Sequence, residues 1–127
     1  MPEFVKTRDN FADLEAFYDR WMQSLGTAVI AGASAFGGRR SDRRVTRVTP
    51  PGRTPCRQVF RRALLLADGR LASCDQDYRG EVSVSTEPES GLAAWTGGRM
   101  KALRCAQRDQ SLGGWPLCGA CEEWHRP

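Results

Sequence analysis

Residues 56–74 read CRQVFRRALLLADGRLASC, and this stretch decides how the second half of the chain folds. The apolar run Val59–Ala67 is followed by Asp68-Gly69, a dipeptide typical of tight hairpin turns. Arg70–Cys74 then continues as a second strand. The sequence therefore predicts a β-hairpin, and the turn is expected to bring the cysteines at its two ends to the same end of the ribbon.

Two further cysteines, Cys118 and Cys121, lie in WPLCGACEEWHRP at residues 115–127. Four thiolates from a hairpin base and a tight turn suit either a tetrahedral Zn²⁺ or a [4Fe-4S] cluster. Zinc sites usually combine two short C-x-x-C pairs, whereas the first pair here is widely separated, so spacing leaves both centres open. Trp115 and Trp124 would shield such a centre from water. The candidate ligands are Cys56, Cys74, Cys118 and Cys121.

The bulk composition indicates a small globular protein. The chain has 127 residues, 40% hydrophobic and 27% charged, which is enough for one domain or a small domain with an attached piece of another. It contains no apolar run of membrane-spanning length, and its N-terminus lacks a signal peptide. The sequence therefore predicts a cytoplasmic protein. Five cysteines, an odd number in a reducing compartment, favour metal binding over disulfides.

The first part of the chain has the pattern of a β-α-β unit. Glu3–Thr7 is a strand candidate, Asn10 is placed as a helix N-cap, and apolar residues recur at helical spacing from Phe11 to Leu25. Gly26 fits the helix stop, and residues 27–32 read as a buried strand. One such unit is not a stable domain, so its aromatic helix face is expected to dock against further elements.

Residues 33–55 are predicted to be an irregular connector, because they are rich in proline and glycine. Nine arginines and one acid, Asp42, lie between Arg39 and Arg62. This charge suits a solvated linker, or a surface for nucleic acid or another anion. No aromatic residues alternate with the arginines, which disfavours nucleic acid.

Beyond the hairpin, the pattern predicts short elements. Glu81–Ser85 could form a strand, and Ser90 could cap a helix that presents Leu92 and Trp95. Gly97-Gly98 should interrupt that helix. A second helical piece is then expected, with Met100, Leu103 and Arg104 along it.

Several ordered motifs resemble the SPASM domain, the auxiliary-cluster domain of radical S-adenosylmethionine (SAM) enzymes. Cys56, Gly69 and Cys74 are similar to its C-x9-15-G-x4-C opening. GLAAWTGGRMKALR resembles its Trp-containing helix, and WPLCGACEEW resembles its closing C-x-x-C. The likeness runs from Pro55 to Trp124, while residues 3–38 look like the last strand-helix-strand of the partial TIM barrel that precedes such domains.

The resemblance implies a specific fold and ligand set. It implies an α+β chain with a barrel remnant at 1–38, a connector at 39–55 and a small Cys-rich domain at 56–127. The chain stops before the cysteines of a second cluster, so it resembles the shorter Twitch form with one [4Fe-4S] cluster. The implied ligands are Cys56, Cys74, Cys118 and Cys121. Cys105 lies outside the pattern and is expected to be a packed thiol or a substitute ligand.

The chain has no C-x3-C-x2-C motif, whose open iron binds SAM, so it is expected not to cleave SAM by itself. The implied function is electron relay or substrate docking beside a radical SAM barrel supplied elsewhere, acting on a peptide or small molecule. The alternative is a zinc-stabilised interaction module without a redox role. Neither a membrane nor a nucleic acid is expected as a partner.

Five other polar or charged side chains lie near the candidate ligands in the sequence or near the end of the chain. Arg57 or Arg79 could offset the negative charge of a cluster. Asp75 and Asp77 beside the second ligand are expected to be solvated or to cap the loop rather than to hold substrate. His125, the single histidine, is expected to be exposed near the terminus.

Overall fold

The computed structural model describes residues 1–85 and 91–126, and it shows a small mixed α/β chain. The chain divides into two compact units. The first comprises Met1–Ala35 and Arg40–Val48, and the second comprises Phe36–Arg39 and Thr49–Pro127. Most of the predicted connector thus belongs to one unit or the other, with 40–48 in the first and 49–55 in the second.

The first unit contains the predicted β-α-β arrangement. Strands β1, Glu3–Lys6, and β2, Val29–Gly32, pair in parallel with Glu3 opposite Val29. Between them, a 3-10 turn at Phe11–Asp13 leads into helix α1, Leu14–Leu25. Parallel strands need such a crossover, which explains why a helical period separates the two apolar runs.

The sequence predicted the C-terminal end of α1 correctly but not the cap at its N-terminal end. Gly26 ends α1 with a left-handed φ of 68°, and its N–H donates to the Met22 carbonyl at 3.0 Å. Asn10 does not cap the helix with its side chain. Its Oδ1 instead accepts from the backbone N–H of Thr7 at 2.7 Å, so the side chain closes the turn after β1. The N-cap prediction was therefore wrong.

The parallel pair is less buried than predicted. Val29, Ile30 and Ala31 of β2 are half-buried, whereas residues 27–32 had been interpreted as a buried strand. Parallel sheets are buried when helices cover both faces, and the unit supplies one long helix. Phe17 of α1 packs against Phe4 of β1 with ring centroids 5.1 Å apart, while Phe11 stays 51% exposed.

Residues 33–57 form no helix or strand, as predicted. Several of their arginines are engaged rather than freely solvated. In the first unit Asp42 pairs with Arg44 at 2.8 Å and with Arg47 at 3.5 Å. Hydrogen bonds from Arg44 hold the pKa of Asp42 well below its ordinary value. In the second unit Arg39 contacts Glu81 at 2.7 Å.

The predicted hairpin is present but short. Strand β3, Leu64–Leu65, pairs antiparallel with β4, Leu71–Ala72, around the Asp68-Gly69 turn, where Gly69 has a φ of 85°. The first half of the predicted strand is instead a helical turn, α2, at Gln58–Arg61. This part of the prediction was wrong: turning the chain there buries Val59 while Arg61 and Arg62 stay exposed.

Three helices complete the second unit. They are α3 at Gly91–Thr96, α4 at Gly98–Asp109 and α5 at Pro116–Ala120. Gly97 separates α3 from α4, as predicted, whereas the proposed Ser90 cap lies outside the described residues. The predicted strand at Glu81–Ser85 is reduced to one bridge between Ala72 and Ser83.

The hydrophobic core of the second unit is built around α4. Met100 and Leu103 are fully buried against the hairpin and α5. Cys118 itself belongs to this core, which ties the closing C-x-x-C to the main packing. Along the described residues, no helix combines the length and apolar character that crossing a membrane requires.

Candidate metal centre

The four predicted ligands line one small cavity of the second unit. Cys56 precedes α2, Cys74 follows β4, Cys118 lies in α5 and Cys121 directly follows it. Three segments that are distant in sequence therefore contribute thiols to one place. The hairpin and the α5 turn are the elements that bring them together.

Three of the four cysteines that line the cavity are shielded from water. Cys56, Cys74 and Cys118 are 8%, 6% and 5% exposed, and Cys121 is half-buried. Cys105 on α4 behaves differently, because it is exposed and does not line the cavity. The expectation of a packed thiol at Cys105 was wrong: on α4, Met100, Leu103 and Ala106 face the core, and Cys105 lies on the opposite side.

Backbone hydrogen bonds fix the segments that carry the cysteines. The Cys56 N–H donates to Oε1 of the buried Gln107 on α4 at 3.2 Å. The Cys121 N–H donates to the Cys118 carbonyl at 3.3 Å, which closes the C-x-x-C turn. The Glu123 N–H donates to the Cys121 Sγ at 3.3 Å, a contact that favours the thiolate form of that sulfur.

The loop after Cys74 is organised by Asp77, which is 1% exposed. One carboxylate oxygen accepts the Glu81 N–H at 2.7 Å, and the other accepts the Val82 N–H at 2.8 Å. The Asp77 N–H donates to the Cys74 carbonyl at 3.1 Å. Asp77 thus caps the loop, as predicted, and Asp75 is exposed.

Gly80 is required in this loop because of close packing. It has a φ of 69°, and a Cβ added there would lie 2.6 Å from Leu66 Cδ1 and 3.1 Å from the Arg70 guanidinium. A side chain would meet both strain and collision. Cys74, Asp77 and Gly80 are therefore spaced as they are because the chain reverses direction in a tight turn directly after Cys74.

Arg53 is the arginine that lines the cavity. The sequence had instead suggested Arg57 or Arg79 for this role. The Arg53 guanidinium donates to the Cys118 carbonyl at 2.8 Å and to the Cys121 carbonyl at 3.3 Å. It also lies over the Trp124 ring, 5.8 Å from its centroid. Its side chain lines the cavity, whereas neither Arg57 nor Arg79 does.

The charge of Arg53 suits an anionic centre. Four thiolates on a Zn²⁺ ion or a [4Fe-4S]²⁺ core leave a net charge of about −2. The Arg53 Nε is buried and has no hydrogen-bond partner among the described residues. A buried donor without an acceptor is unfavourable, and an anionic centre in this cavity would offer one.

Burial changes the acidity of the thiols. Removal from water raises the pKa of Cys74 to about 11 and that of Cys118 to about 12. The other cysteines of the cavity contribute in the same direction, since neighbouring thiolates repel one another. The four cysteines line one cavity, and a bound cation would reverse the penalty.

The side chains line the cavity without a finished coordination geometry. Within residues 1–85 and 91–126, no group of three or more His, Cys, Asp or Glu side chains is already arranged as a ligand set. The cavity volume is about 20 Å³, room for about one water-sized atom. Four thiols that line one cavity nevertheless make a donor set of the chemistry that both candidate centres need. The donor atoms are therefore of the right chemistry for such a group, whereas their arrangement in this structure is not that of a metal site.

Chelator-treated protein should lose stability at alkaline pH. Unfolded thiols ionise near pH 8.5, whereas folded Cys74 stays protonated to about pH 11. Between these values the unfolded chain binds fewer protons, so the free energy of unfolding falls as pH rises. Urea titrations of wild type and Cys74→Ala between pH 8 and 10.5 would measure this, with a smaller slope expected for the variant. Equal slopes would contradict it.

The tryptophans and the histidine differ in their relation to the cavity. Trp124 is buried and lines it, as a shielding residue should. Trp115 instead packs on the hydrophobic core and does not line the cavity. His125 is exposed, as predicted, and packs edge-on against Trp124.

Comparison with known proteins gives one distant relative and no family. An uncharacterised protein of Treponema pallidum (strain Nichols) is 26% identical over 125 residues, which is 98% of this chain. The chain spans only about a third of that protein, 34% of its length. No protein family matches the chain, and no solved structure matches it.

Proposed function

We propose that the second unit is a metal-binding module in which four cysteines hold a [4Fe-4S] cluster. The observation that carries the proposal is the convergence of Cys56, Cys74, Cys118 and Cys121 on one buried cavity. In line with the SPASM/Twitch resemblance, the module serves as an auxiliary centre of a radical SAM-type system. It would not cleave SAM itself.

The residues of the cavity have separate roles in this proposal. The four thiols bind, and the Cys56 backbone is positioned by Gln107. Arg53 offsets the negative charge of the centre and fixes the carbonyls of the C-x-x-C turn. Trp124 limits access of water. A bound [4Fe-4S] cluster would supply one-electron transfer, at a potential set by these charges and by burial.

The first unit is proposed to be the last strand-helix-strand piece of a partial TIM-like barrel. Two parallel strands with a helical crossover support this, because parallel pairs are usually part of larger sheets. The relative that is about three times as long also supports it, since such a protein has room for the remaining barrel. The catalytic half would then be supplied by another segment or chain.

Zinc is the second candidate, and the volume of the cavity favours it. A space of about 20 Å³ has room for one ion once the thiols turn toward it, whereas a cubane would also require the thiols to move apart. In that case the module is structural and mediates interaction, without redox chemistry.

Anaerobic purification of the full chain tests these proposals. A brown protein with about four iron and four sulfide per chain is expected for the cluster. A colourless protein with one zinc per chain would support the second candidate. Protein that retains neither metal after anaerobic reconstitution with iron and sulfide, and that also fails to bind zinc, would overturn both.

A further inference from the structure

A second cavity of the second unit adjoins the thiols. This cleft has a volume of about 520 Å³, within the range of small-molecule sites, and Pro50, Pro55, Arg57, Trp124 and His125 form its walls. It is a different space from the cysteine cavity, but the two share Trp124 as a wall. Arg57 also directly follows the candidate ligand Cys56 in the chain.

Arg57 brings a positive charge to this cleft. None of the residues that line it is acidic. The Arg57 guanidinium makes no ion pair or hydrogen bond with the residues the structure describes, and the side chain is exposed. Arg53, by contrast, is occupied by the two carbonyls of the C-x-x-C turn. A guanidinium with free donors binds a carboxylate through two parallel hydrogen bonds.

Two exposed prolines provide most of the apolar surface of the remaining walls, because Trp124 is only 5% exposed. Pro50 and Pro55 come from the segment before Cys56, and Trp124 comes from the segment after Cys121. The His125 ring stands edge-on to Trp124 with centroids 5.5 Å apart, and His125 lines the cleft together with Arg57. The cleft thus combines charged and polar donors with apolar walls, as small-molecule sites do.

We infer that this cleft binds a carboxylate attached to a flat apolar body, with Arg57 on the carboxylate and the exposed prolines against the body. The source of the carboxylate is either a free small molecule or the C-terminus of a peptide that ends in an aromatic residue. The biological role of this ligand rests on the proposed function, because Trp124 would separate the ligand from the metal centre. Binding itself depends on the cleft alone.

Fluorine NMR of the full chain tests the inference with 4-fluorophenylacetate as probe. Saturable line broadening with a dissociation constant on the order of 1 mM is expected. The neutral analogue 2-(4-fluorophenyl)ethanol should bind at least about tenfold more weakly, because it offers no charge to Arg57. Competition by phenylacetate and by the dipeptide Gly-Phe would distinguish a free carboxylate from a peptide C-terminus.

Variants on the same helical turn provide the control. Arg57→Gln should weaken probe binding at least about tenfold. Arg61→Gln should leave it unchanged, because Arg61 lines a different cleft beside the hairpin. Equal binding of acid and alcohol, an unchanged affinity in Arg57→Gln, or equally tight competition by inorganic phosphate would each overturn the assignment. Metal content measured on the same samples separates failure of the cleft from failure of the metal centre.

Discussion

Replacement of Cys56 or Cys118 by serine is expected to abolish stoichiometric metal binding. Each is buried in the cavity, and a serine hydroxyl does not replace a thiolate ligand for iron or zinc. Iron, sulfide and zinc per chain after anaerobic purification measure the effect. We expect the variants to retain less than about a tenth of the wild-type metal, since a site with three cysteines is incomplete.

Cys105→Ser is the matched control, because Cys105 is a cysteine of the same unit that is exposed and lies outside the cavity. Its metal content should equal that of the wild type. If Cys105→Ser loses metal while Cys56→Ser retains it, the assigned ligand set is wrong. Circular dichroism of all three variants with metal removed separates loss of a ligand from loss of the fold.

Asp77→Ala is expected to destabilise the second unit by about 3 kcal/mol. The substitution leaves the backbone N–H groups of Glu81 and Val82 without their acceptors, and the Val82 side chain is buried in the core. Each buried donor left unsatisfied costs about 1–3 kcal/mol. Urea denaturation monitored by tryptophan fluorescence measures the change. Because the loop holds the Cys74 carbonyl, metal affinity should fall as well.

Two further variants make the Asp77 prediction specific. Asp77→Asn keeps one acceptor oxygen and should lose about half as much stability. Asp75→Ala should change it by less than about 0.5 kcal/mol, because Asp75 is exposed. Equal losses for Asp75→Ala and Asp77→Ala would show that the loop is not held by the Asp77 carboxylate.

Elements with a local physical cause were predictable from the sequence. The Asp68-Gly69 turn is formed because glycine tolerates the φ of 85° that the structure shows at Gly69. Gly26 ends α1 for the same reason. The alternation of strand, helix and strand in the first unit followed from the apolar periods alone.

Errors arose where several local structures compete for the same residues. The segment Val59–Ala67 mixes strand-forming residues with Ala, Leu and Arg, which favour helix, and its first part is helical because this buries Val59 and leaves the arginines in water. Asn10 had two possible hydrogen-bond partners and closed the turn after β1 instead of capping the helix.

In the candidate site, too, the sequence predicted some residues and missed others. Its cysteines were found by spacing and by resemblance, but the cation beside them was not. Arg53 is one of nine arginines between Arg39 and Arg62, and its neighbours in the sequence do not distinguish it from Arg57. Only packing against Trp124 and the carbonyls of α5 makes Arg53 the residue of the cavity.

The sequence by itself determined the hairpin, the C-x-x-C turn and the β-α-β unit, because backbone geometry and apolar period act between neighbouring residues. The tertiary structure decided which thiols are buried together, which arginine faces them and which cysteine is left outside. Those outcomes depend on contacts between segments 51 to 68 residues apart, such as Arg53 with Cys121 and Cys56 with Gln107. Burial is a property of the packed chain, and no short stretch of sequence specifies it.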